Sequence, residues 1–131
     1  MGVQADRSTA DLGAALRPVI RRLQSTLSDV QGVAVVTGDG LPLATVLDNG
    51  ADPDRFGAMC ASLLALAAQA AQEIDRGRLR QVLIEGEEGT MLIVRAGDET
   101  VLAVAAGQSI NTGRLFLEAR KVAGDVSAIV G

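Results

Sequence analysis

The chain has 131 residues, 48% of them hydrophobic and 21% charged, with a net charge of −4; this fits one globular domain and excludes a disordered chain. The acidic balance, with a pI near 4.7, argues against nucleic acid, which rewards clustered Lys and Arg. One cysteine, Cys60, and no histidine leave no internal disulfide, no ordinary zinc site and no His-based acid–base chemistry, so this reading carries no metal and no cofactor and places the chain in a reducing, cytoplasmic interior.

Residues 1–10 are small and polar and read as a flexible N-terminal arm, with residues 11–131 as the single domain. The arm has no apolar signal core. It opens Met1-Gly2, but Asp6 stands where a myristoylation site wants Ser or Thr. From Asp11, Leu12, Leu16, Val19, Ile20, Leu23 and Leu27 step by three and four, which predicts an amphipathic helix. Pro18 should kink that helix or mark a restart. Arg17, Arg21 and Arg22 read as its solvated face.

"GVAVVT" (32–37) and "LPLATVL" (41–47) read as strands joined by a Gly-Asp-Gly turn at 38–40, with Pro42 arguing for an edge strand or a strand start. Next comes a helix capped by Asp52, with Pro53 in its first position and its end at Arg76 and Gly77. Three strands follow at 79–85, 89–96 and 100–106, joined by turns too short for anything but antiparallel neighbours. The last two are almost wholly apolar, which predicts burial on both faces. A final helix runs from about Asn111 to Ile129. With only Phe56 and Phe116 as aromatics, the core must be built from Val, Leu, Ile and Ala. The order α-ββ-α-βββ-α predicts a three-layer α/β/α sandwich around a five-stranded antiparallel sheet.

The central helix contains "FGAMCASLLALAAQAAQ", seventeen residues without a charge. At about 100° per residue, Phe56, Met59, Cys60, Leu63, Leu64, Ala67, Ala70, Ala71 and Ile74 form a broad bulky face, expected to lie on the sheet. Arg55, Ser62, Gln69, Glu73 and Arg76 form a narrow polar stripe. One flank between the two carries Gly57, Ala58, Ala61, Ala65 and Ala68. Small residues let another backbone approach closely, so this flank is expected to contact a second copy of the chain. A membrane span is disfavoured, because Ser62, Gln69 and Gln72 interrupt a segment short of the usual length of about 20 residues.

No motif assembles a catalytic constellation. "VVTGDG" lacks the Lys and the following helix of a phosphate loop. Glu85, Glu87 and Glu88 lack EF-hand spacing and read as a solubilising turn. Ser109, Asn111 and Thr112 read as a helix cap. Cys60 faces the sheet and reads as a small core hydrophobe.

The ordered set "VQGVAVVTGDGLPLA", "RQVLIEGEEGTMLIVRAGDETVLAVAA" and "NTGRLFLEARKVAGDV" resembles the Roadblock/LC7 domain, the family of the dynein light chain roadblock and of bacterial gliding-motility regulators. The resemblance covers about residues 12–129 and is strongest to bacterial versions, including those encoded beside small GTPases in actinobacteria. It implies a profilin-like αββαβββα fold and a homodimer in which the central helices pack together and the third strands pair into one continuous sheet. Val82, Leu83 and Ile84 would then join the small-residue flank at the interface. The resemblance further implies a non-enzymatic adaptor or regulator of a small Ras-like GTPase, docking on the paired central helices. On this chain the candidate GTPase-facing residues are Arg55, Ser62, Gln69, Gln72, Glu73 and Arg76. An assembly scaffold without a GTPase and a small-ligand-sensing module are the alternatives, the second requiring a pocket with convergent polar groups.

Overall fold

Ser8 opens the first helix: its hydroxyl accepts the Asp11 N–H at 3.1 Å, satisfying one of the donors a helix start leaves free. A computed structural model describes residues 8–47 and 50–131. Helix α1 spans Thr9–Thr26, so Thr9 and Ala10, expected in the arm, belong to it; the rest of that arm, residues 1–7, lies outside the described residues. Pro18 forces no restart: α1 continues through it as a single element.

Strands β1 (Val30–Thr37) and β2 (Pro42–Leu47) form the expected hairpin, and Gly40 at the turn has φ +96°, a backbone region that glycine reaches without steric cost. The remaining elements are helix α2 (Pro53–Glu73), strands β3 (Gln81–Gly86), β4 (Gly89–Arg95) and β5 (Thr100–Gly107), and helix α3 (Thr112–Val130). The sheet order is β2-β1-β5-β4-β3, antiparallel throughout. Pro42 begins an edge strand, where its missing N–H breaks no ladder. The apolar strand β5 lies at the centre, buried along nearly its whole length.

Period-two alternation divides these strands between two cores. On one face Val33, Val35, Leu92, Val94, Leu102 and Val104 pack with Leu16, Ile20 and Leu23 of α1 and Leu115, Ala119 and Val126 of α3. Gly13 lets α1 approach β2: a Cβ there would stand 2.7 Å from the Leu43 carbonyl. On the other face a smaller core, Cys60, Leu64, Ile93, Val101 and Ala103, holds α2.

Asp29, at φ 69°, ties the start of β1 to the end of β5. Its carbonyl accepts the Gly107 N–H at 2.9 Å and its carboxylate accepts the Ser109 N–H at 2.7 Å, fixing the exit of β5 into α3. Asn111 caps α3 as expected.

Helix α2 ends earlier than its composition suggests. Its last helical residue is Glu73, not Arg76, and the left-handed cap position is taken by Asp75 at φ 56°. The Asp75 N–H reaches back to Gln72 and the Arg76 N–H to Ala71, the paired bonds of a Schellman cap. Asp tolerates that conformation better than most side chains, so Gly77 is not needed to stop the helix.

Candidate interaction surface

The expected sheet-facing side of α2 requires correction. The residues it buries are Gly57, Cys60 and Leu64. Met59, Leu63, Ala70 and Ile74, expected on the sheet, are exposed. The helix is rolled about its axis because Gly57 seats it on the β1–β2 turn. A Cβ at Gly57 would stand 2.6 Å from the Gly40 carbonyl and 3.3 Å from Val36. Gly57 is therefore used inside the chain and not on its surface. Ala58 lies beside the same turn, with its Cα 3.0 Å from where a Gly40 Cβ would be. Ala61, Ala65 and Ala68 continue along this flank, half-buried, exposed and half-buried in turn.

The opposite flank therefore looks across the sheet toward β4 and β3. It carries Leu63, Ala70, Met59 and Leu66, which are large except for Ala70 and exposed, Met59 by 53% and Leu66 by 65%. The sheet beneath is wider than one helix covers. Five strands at about 4.8 Å spacing span about 19 Å, and a helix with its side chains is about 10 Å across. Val82, Ile84 and Met91 pack against the smaller core yet are only half-buried. They form an apolar shelf on the far side of α2.

That shelf ends at an open edge. Among the described residues, strand β3 pairs with β4 alone. Arg95 N–H donates to the Arg80 carbonyl at 3.5 Å, so by antiparallel alternation the even-numbered residues turn their backbone groups toward β4. Gln81, Leu83 and Glu85 are left with N–H and C=O groups pointing outward, a template for another strand.

All six polar residues assigned to a partner-facing role, Arg55, Ser62, Gln69, Gln72, Glu73 and Arg76, are exposed. They do not form one patch. Arg55 and Ser62 line a shallow depression with Ala58, Met59, Leu63 and Leu66, while Arg76 lies beyond the end of the helix. The apolar Met59 and Leu66 beside that stripe are the feature missed from sequence: Met59 was expected on the sheet because it is bulky, and Leu66 was assigned to no face.

A second, open cleft of about 830 Å³ lies where the β1–β2 and β4–β5 turns meet the start of α1 and the end of α3; Thr9, Thr37, Asp39, Asp98 and Glu99 are among its lining residues. Among the described residues there is no grouping of His, Cys, Asp or Glu fit to hold a metal. No described helix is long and apolar enough to cross a membrane.

Cys60 is fully buried under α2, and burial pushes its thiol up to about 11. In the folded protein it is expected to resist a thiol reagent at pH 8 and to react fully in denaturant; equal rates in both conditions would contradict its burial. Between the ordinary thiol value of 9.0 and about 11 only the unfolded chain loses this proton, so the contribution of Cys60 to stability falls as pH rises through that window.

The fold agrees with comparisons to known proteins. The family model described as the Roadblock/LC7 domain matches residues 19–106. Uncharacterized protein MJ0310 of Methanocaldococcus jannaschii is 35% identical over 100 residues, covering 76% of this chain and 87% of that protein. The chain belongs to the Roadblock/LC7 family. The crystal structure of a Roadblock/LC7 domain from Streptomyces avermitilis superposes with a TM-score of 0.79 at 23% identity, covering 84% of this chain and 92% of that one. The gliding protein MglB from Thermus thermophilus gives 0.79 at 14% identity, covering 95% and 92%. Profilin II of Acanthamoeba castellanii shares the fold at a TM-score of 0.59 and 20% identity, covering 84% and 94%, so the fold is profilin-like. At these identities the superpositions establish the fold alone.

Proposed function

We propose that the chain is a non-catalytic, cytoplasmic homodimer that serves as adaptor or regulator of a small Ras-like GTPase. The observation that carries the dimer is the uncovered apolar surface on the α2 side of the sheet: exposed Met59, Leu63 and Leu66 of α2, half-buried Val82, Ile84 and Met91 on the same side, and the free edge of β3. Contiguous apolar surface of this kind favours a partner. A second copy related by a two-fold axis would cover both shelves at once and pair both edges, as the family resemblance implies.

In this reading the seam runs along the bulky flank of α2 together with Val82, Leu83 and Ile84, in place of the small-residue flank of Gly57, Ala58, Ala61, Ala65 and Ala68. Two α2 helices side by side leave Arg55, Ser62, Gln69, Gln72 and Glu73 facing outward, with Arg76 at the end of each helix. The GTPase docks there.

The experiment is capture of partners from native lysate on the tagged chain, with a GTP analogue or GDP added, read by mass spectrometry. Retention of a small GTPase in one nucleotide state is the expected result. Other proteins retained without a GTPase in either state would overturn the regulator reading in favour of an assembly scaffold.

A further inference from the structure

We propose that the open cleft at the turn end of the domain binds the lysine side chain of a basic peptide segment on a partner protein. The cleft, of about 830 Å³, lies where the β1–β2 and β4–β5 turns meet the start of α1 and the end of α3. Its apolar members Leu12, Leu43 and Val130 pack against the larger core, on the face of the sheet opposite α2. The site is therefore separate from the dimer surface and stands whether or not the dimer forms.

Two hydroxyls open into this cleft. Thr100 of β5 and Thr37 of β1 are direct partners across the sheet, and alternation puts both on the face of Val35 and Leu102. Thr100 is 8% exposed, the one polar side chain buried among the described residues. No other group of the described chain hydrogen-bonds to its side chain. Every described polar side-chain atom that is shut off from solvent has a partner. The Thr100 hydroxyl is therefore the part of that residue that reaches open space, and the space it lines is the cleft. A nearly buried hydroxyl without a protein partner is a cost that a ligand can remove. The Thr37 oxygen accepts the Leu41 N–H at 3.0 Å and keeps a second lone pair.

The rim selects a cation. Asp39, Asp98 and Glu99 line the cleft, and no Lys or Arg does. Arg78 meets Asp98 at 3.3 Å, but both side chains are largely exposed and the pair is weak. Among the described residues, Asp39 and Glu99 make no ion pair. The start of α1 would favour an anion, but the Ser8 hydroxyl caps it and Asp11 in its first turn offsets its dipole. The three carboxylates do not gather as a metal site requires, so the cation is organic. Lysine matches what remains. Its aliphatic stem suits walls of Leu12, Leu41, Leu43 and Val130, and its compact ammonium donates to hydroxyl oxygens and a carboxylate together. The planar fork of arginine is shaped for the paired oxygens of one carboxylate or phosphate. The open mouth suits a side chain carried on a peptide, since a free small molecule needs most of its surface enclosed.

The test is titration of the isotope-labelled full chain with acetyl-Ala-Lys-Ala-Lys-Ala-amide, read by NMR at the backbone amides. Those of Gly38, Asp39, Glu99 and Thr100 are expected to shift and saturate. The same peptide with its lysines acetylated, and so neutral, is expected to bind at least about tenfold more weakly. Thr100→Val keeps the shape and removes the hydroxyl, and is expected to weaken binding about tenfold. Asp39→Asn with Glu99→Gln, at two exposed positions, is expected to weaken binding and flatten its salt dependence. Thermal melting checks that each variant folds. No shift at these amides, equal binding of the neutral peptide, or unchanged binding by either folded variant would overturn the proposal. Spermidine saturating the same amides at lower concentration than the peptide would overturn the peptide in favour of a free amine.

Discussion

Met59→Glu is expected to turn the dimer into a monomer without unfolding it. The side chain is 53% exposed in the single chain, so a carboxylate there stays in water and should change the monomer's stability by no more than about 0.5 kcal/mol. In the proposed dimer the same position lies between two α2 helices, where an unpaired charge costs about 3–5 kcal/mol. That corresponds to a dissociation constant raised by at least about 100-fold. Ala65→Glu is the comparison, because Ala65 lies on the opposite flank, the one that begins at the β1–β2 turn. It should leave the dimer mass unchanged. The reverse outcome, with Ala65→Glu monomeric and Met59→Glu dimeric in light scattering, would return the seam to the small-residue flank.

Leu64→Ala is expected to destabilise the chain by about 2–4 kcal/mol, the usual cost of removing a buried leucine where the site cannot collapse. The reason lies in how little holds α2. The larger core joins two helices to the sheet, whereas α2 rests on Cys60, Leu64, Ile93, Val101 and Ala103. Leu64 is the largest side chain that α2 itself contributes to that cluster of buried residues. The loss should therefore be local first. Amide exchange in α2 is expected to accelerate more than exchange in β1 and β5, and partner capture should weaken even where the sheet remains folded. Uniform acceleration across all elements would contradict the division into a thick and a thin core.

What the sequence revealed and what it hid follow from physical causes. Strands were legible because β4 and β5 are apolar runs between short polar turns, which leaves antiparallel pairing as the economical solution. The N-terminal caps were legible because Asp52 and Asn111 act within three residues of themselves. The roll of α2 was not. A narrow polar stripe sets the phase of the helix only loosely, and bulk misled: the contact that seats it is between two glycines, Gly57 and Gly40, distant in sequence. The end of α2 was hidden for a related reason, since the left-handed cap position fell on Asp75 with Gly77 two residues away. The exposed Met59 and Leu66 could have been found by asking how much of a five-stranded sheet one helix can cover. The polar stripe from Arg55 to Arg76 was legible as an exposed set, but its dispersal along the helix was not, because a wheel projects away the length of the axis.

In the proposed dimer a second copy covers the shelf beside α2 and the free edge of β3. Residue-resolved amide exchange along β3 tests it most directly. In a single chain Val82 and Ile84 turn their N–H groups to β4, while those of Gln81, Leu83 and Glu85 point outward. The three outward amides are expected to be protected at high protein concentration and to lose that protection on dilution, while Val82 and Ile84 remain protected. Free exchange at Gln81, Leu83 and Glu85 at every concentration would contradict it.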